Sequence, residues 1–150
     1  MIDDTSDRAE IHDLFNRYAD GTAGRQWELL YEVFTEDVTG TWLGSPEIRG
    51  RAALVQRIRD AIERTSETRL LGNYTATIDG NVADARVRVR LYQMCGGDPS
   101  RLYQKILGSF RATLVRTWNG WRFRHLGGAQ YATLGAPEPL PLGGRASMQS

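Results

Sequence analysis

The chain has 150 residues, 41% hydrophobic and 25% charged, with a formal net charge of +1. That is enough for one domain with its own core. A charge so near zero argues against a protein drawn as a whole to nucleic acid or anionic lipid. No apolar run approaches the roughly 20 residues that span a bilayer, and the opening MIDDTSDRAE is acidic and polar rather than signal-like. Cys95 stands alone, which excludes an internal disulfide and any multi-cysteine metal site. The expectation is a cytoplasmic protein with no nucleic-acid or membrane partner.

In chain order, AEIHDLFNRYAD spaces Ile11, Leu14, Phe15, Tyr18 and Ala19 as a helix, behind acidic residues that suit its N-terminus. After a break at Gly21–Gly24, RQWELLYEVFTEDV restarts the pattern with Trp27, Leu30, Tyr31 and Phe34 as a second helix. Thr39 to Leu43 reads as extended and GSPEIRG as a turn; RAALVQRIRDAIERT is a third amphipathic helix burying Leu54, Ile58 and Ile62. The period then changes to two. RLLGNYTATIDG and NVADARVRVRLYQM are strands joined by a turn at Asp79-Gly80-Asn81, and CGGDPSR is a loop. LYQKILGSFRATLVRTW is a long strand, Asn119-Gly120 a second hairpin turn, and WRFRHLGG the last strand. Helices followed by an antiparallel meander make an α+β domain with the helices on one face of a curved sheet. Residues 1–130 form that domain, and 131–150, rich in proline and glycine, form a tail.

Alternation in ARVRVRLYQ puts Val87, Val89, Leu91 and Gln93 on the face that must meet the helices, and Arg86, Arg88, Arg90 and Tyr92 on the other. Gln93 ends the apolar row, where a buried amide needs a partner or a ligand. In LGSFRATLV neither face is clean. His125 could point inward as an acid/base; strand-end histidines are more often exposed. Cys95 has no basic partner or helix N-terminus that would activate it. Neither a phosphate-binding glycine loop nor histidine and carboxylate ligands at metal spacing occur, so no cofactor and no metal are expected.

The ordered fragments RYA, W-E-L-L, F-T-E-D-V, R-L-L-G-N-Y, I-D-G-N-V-A-D-A and L-V-R-T-W-N-G-W-R-F resemble the SnoaL-like branch of the nuclear-transport-factor-2-like superfamily, close to scytalone dehydratase. The resemblance spans about Arg8 to Leu126. It implies a cone-shaped barrel, a curved antiparallel sheet wrapped around the N-terminal helices with a pocket between them. It places Tyr18 at a pocket aromatic, Trp42 at a substrate-binding position, and Ser109 and Arg111 at pocket-lining positions, which favours the odd-numbered face of that strand. In the dehydratase-like pattern the first kink carries an aspartate that orients a histidine on the next long strand, and a second histidine ends the strand after it. Here those positions are Ala23, Arg69 and Gln93. Neither a guanidinium nor an amide serves as a base near neutral pH.

The implied function is a small-molecule enzyme of secondary metabolism: a polyketide- or terpenoid-type cyclase, dehydratase or isomerase lacking the Asp-His pair. The expected catalytic set is Tyr18, Arg69, Gln93, Arg111 and His125; Trp42, Ser109, Val89, Leu91 and Ala23 line the substrate site. The substrate is expected to be apolar or aromatic, and the assembly a homodimer through the arginine row. The alternative is a non-catalytic ligand-binding or protein-interaction module of the same fold, which the triple replacement favours.

Overall fold

The computed structural model describes residues 4–41, 46–63, 66–94 and 102–135. Helices α1 (Thr5–Ala23) and α2 (Trp27–Glu32) precede β1 (Phe34–Thr41), the short β2 (Ile48–Arg49) and α3 (Arg51–Glu63). Four long strands follow: β3 (Ser66–Asp79), β4 (Val82–Met94), β5 (Leu102–Thr117) and β6 (Gly120–Gly135). They form one unclosed six-stranded sheet in the order β2-β1-β6-β5-β4-β3, with α1 laid against β3 and β6 and α3 against β1. The result is the expected cone-like α+β fold.

Three expectations change. The sheet is mixed, because β1 runs parallel to β6 while every other pair is antiparallel. Strands so far apart in sequence have no hairpin turn to force an antiparallel pairing. The second helix ends at Glu32, and Phe34 already belongs to β1. Burial at Phe34 and Val38 repeats at i,i+4 and so imitates a helix, but it arises from an irregular register between Phe34 and Thr39. Finally, β6 continues to Gly135, past the expected boundary at residue 130.

Leu14, Phe15 and Tyr18 of α1 meet Phe34, Phe123, Leu126 and Trp121 in one core. Leu54 of α3 comes so close to β1 that a Cβ on Gly40 would lie 2.7 Å from its Cδ1, so a larger residue there would have to displace the buried Leu54 side chain. Trp121 is fully buried, and its indole N–H donates to Asp7 Oδ1 at 3.0 Å. Asp7 also accepts a two-pronged bond from Arg116, at 2.7 and 2.8 Å, pinning the first turn of α1 to the β5–β6 hairpin. The Arg116 bonds first, and the Trp121 N–H second, hold the Asp7 carboxyl at about 2, down from an ordinary 3.8. The folded state therefore binds fewer protons than the unfolded chain between those values. This stabilisation is complete above about pH 4 and is lost as pH falls towards 2. Asp7→Asn should accordingly flatten the acid limb of a stability–pH curve in that window, read by urea unfolding from pH 2 to 5; an unchanged limb would show that other carboxylates control it.

Asn73 takes φ 55° at the point where β3 slips against β4 between Gly72 and Thr75. Asparagine tolerates this left-handed geometry, and β-branched residues do not. The extra residue switches which side chains face inward, so Arg69 and Leu71 face the core before it and Tyr74, Ala76 and Ile78 after it. Asn73→Val should cost about 1–2 kcal/mol, whereas Asn73→Gly should be near neutral; thermal and urea melts of the pair check this.

Candidate active site

The apolar stripe of α1 runs Ile11, Leu14, Phe15, Tyr18 and ends, one turn on, at Thr22. Both Tyr18 and Thr22 are fully buried. The Tyr18 ring meets Phe34, Phe110 and Phe123 edge-on, with centroids 6.2, 5.5 and 6.3 Å away, so aromatic rings fill the middle of the cone. The Thr22 hydroxyl donates to the Ala19 carbonyl at 2.8 Å and accepts from Arg69 Nη1 at 3.1 Å. Arg69 thus reaches from β3 to the last turn of α1, which carries no basic residue of its own. Its charge lies where the helix dipole is negative, with the guanidinium carbon 5.9 Å from the Tyr18 ring centroid.

Arg69 is 8% exposed, and this decides how the site is drawn. Along the inner face of β4, Val87 is closed at 0%, while Val89 and Leu91 open to 8% and Gln93 is half-buried. Ile106 and Phe110, at 7% and 6%, continue the same trend on β5. Exposure along the inner wall thus rises slightly towards the end bearing Arg69, Leu91 and Gln93. An apolar wall with one guanidinium and one amide can hold a flat, mostly apolar molecule and stabilise negative charge on its oxygen.

The other expected residues separate from this wall. The inward face of β5 carries Ile106, Gly108, Phe110, Ala112 and Leu114, the even-numbered one, so Ser109 and Arg111 lie on the outer face, opposite Arg88 and Arg86. His125 is also outside. Strict alternation from the buried Trp121 and Phe123 would turn it inward. A bulge at Arg124 reverses the phase, so that Leu126 faces the core and His125 pairs with Thr113. Ala23 is exposed; the buried residues beside it in that turn are Gly21 and Thr22. Trp42 and Cys95 lie outside the described residues. Thr22 is the site residue that the sequence reading missed. The signal was its position four residues after Tyr18, where a polar group ends an apolar stripe.

A curved sheet wrapped against N-terminal helices is the cone-like fold of the nuclear-transport-factor-2-like proteins. The sequence pattern of the SnoaL-like domain matches residues 3–127, and the chain belongs to that family. Among solved structures, the Kfla4162 protein of Kribbella flavida is similar at 24% identity and TM-score 0.79, over 87% of this chain and 95% of that one. A candidate scytalone dehydratase from Novosphingobium aromaticivorans is similar at 15% identity and TM-score 0.78, over 92% and 94%. A hexachlorocyclohexane dehydrochlorinase of type 2 is similar at 16% and 0.76, over 93% and 95%. At these identities the likeness is one of fold. No curated protein sequence matches significantly. Among the described residues no helix is long and apolar enough to cross a membrane.

Proposed function

We propose that the chain is a cofactor-independent enzyme that cyclises, dehydrates or isomerises a polyketide- or terpenoid-type molecule held at the open end of the cone. The observation that carries this reading is Arg69, a buried guanidinium on an inner wall that is apolar apart from Gln93, anchored to the end of α1 through Thr22. Such reactions pass through enolates or alkoxides, and a fixed cation at the developing oxygen lowers that barrier. Gln93 supplies an amide on the same wall, Val89 and Leu91 supply apolar contact, and Tyr18 closes the floor. Confinement of a flexible substrate in a reactive fold contributes the rest. The fold relatives that carry dehydratase and dehydrochlorinase names make elimination chemistry a natural member of this class.

The buried polar or charged side chains among the described residues are Thr22, Arg69 and Ser109, so the inner wall offers no buried carboxylate or imidazole as a base. That same fact favours the second reading, a binding module without turnover. Incubation with flat phenolic and anthrone-type ketones, followed by chromatography and mass spectrometry, separates the two. An isomeric or dehydrated product supports the enzyme; saturable binding without product supports the module. For the enzyme, kcat/KM should stay nearly flat between about pH 6 and 8, because fixed donors do not titrate there. A bell-shaped profile centred near neutrality would contradict the fixed-donor mechanism. We further propose that two copies pair through the outer face bearing Arg86, Arg88 and Arg90; a monomer by light scattering at micromolar concentration would overturn this.

A further inference from the structure

The residues that the bulge and the strand register remove from the cone come together on the outer face. The pairings define a cross-strand row of Thr41 (β1), Gly127 (β6), Arg111 (β5) and Arg86 (β4). Beside it runs a second row of Thr39, His125, Thr113 and Asp84. Neighbouring strands are about 4.8 Å apart, so each row is a continuous line of side chains on one face. Thr39 Oγ1 lies 2.7 Å from His125 Nδ1, which fixes the ring and leaves Nε2 as its other edge. That edge is aimed over Gly127. A Cβ on this glycine would stand 3.4 Å from His125 Nε2 and 2.8 Å from Thr41 Oγ1, so the bare glycine leaves a notch bordered by two hydrogen-bonding groups.

Charge points to what fits there. Arg111 and Arg86 are directly opposite one another, both exposed, and neither makes a hydrogen bond or ion pair among the described residues. Like charges facing across a strand pair repel. The acid on this face nearest to them, Asp84, stands two residues from Arg86 on β4, in the second row, and is separated from His125 by Thr113. The notch is thus bordered by an imidazole edge and a hydroxyl, with Arg111 beside it on β5 and Arg86 one strand further on β4.

We propose that this notch is a binding site for a small oxyanion, a phosphate or carboxylate group, separate from the cone. One oxygen sits over Gly127 between Thr41 and His125, and Arg111 on the neighbouring strand takes the remaining charge. Guanidinium forks match such oxyanions in geometry and charge.

The test is a titration of the intact protein with inorganic phosphate at constant ionic strength, maintained with chloride, following the histidine ring signals by NMR. His12, on the exposed surface of α1, is the internal control and is assigned with His12→Gln. A saturable shift confined to His125 is expected, with binding weakened about tenfold or more in Arg111→Gln. Gly127→Val, which fills the notch, should remove the response while His125 keeps its Thr39 contact. A shift that never saturates, one that chloride reproduces, or one that survives Arg111→Gln would overturn the proposal. So would His125 signals that change on dilution without phosphate as the particle mass halves, since a carboxylate of a second copy would then occupy the notch.

Discussion

Arg69→Met should lower turnover of an accepted substrate by about 10²–10³-fold, the usual consequence of removing a fixed oxyanion donor. Methionine keeps most of the apolar stem and removes the charge. The variant should also lose about 1–3 kcal/mol of stability, because the Thr22 hydroxyl and the last turn of α1 lose a buried charged partner. A pocket charge read from sequence alone would be dispensable for folding; one 92% buried against a helix end is not. Product formation per folded molecule, with urea unfolding run in parallel, keeps the two effects apart. Arg69→Lys retains charge without the two-pronged fork and should recover part of the rate. If the folded fraction of Arg69→Met turns over normally, Arg69 is a clamp on α1 and nothing more. Thr22→Val should then match its stability loss without touching the rate.

Trp121→Ala should have the largest effect on stability, about 3–5 kcal/mol. Trp121 is the bulkiest fully buried side chain among the described residues, and it joins β6 to α1 through both packing and its N–H bond to Asp7. A domain of this size has only about 5–15 kcal/mol in all, so this variant should be marginal at ambient temperature. Trp121→Phe keeps the ring contacts and loses only the indole bond, which should cost about 1–2 kcal/mol beyond the volume change. Chemical denaturation of the two variants apportions packing and hydrogen bonding. A loss below about 1.5 kcal/mol for the alanine variant would mean that the surrounding core collapses into the cavity.

Local pattern in the sequence was enough for the α+β class, the three helices, the hairpin at Asp79–Asn81 and the inward row Val87, Val89, Leu91. Each depends on a period that repeats within one element, or on a turn whose residues must adopt unusual φ. The faces of β5 and β6 were not legible in this way. A bulge inserts one residue and inverts every side chain beyond it. The bulge at Arg124 leaves no distinctive residue type behind; at Asn73 the hint was a single asparagine after a glycine. Partner strands decide where the slip falls, and so only the tertiary structure could place His125 outside and keep both Arg69 and Tyr74 inside. The parallel pairing of β1 with β6 is likewise a contact between distant segments, with no local signature. Thr22 shows the same division: its position on the stripe of α1 was in the sequence, but its role required Arg69 to arrive from β3, 47 residues away. Sequence supplied the chemical groups and their local faces. Register between strands decided which of those groups meet.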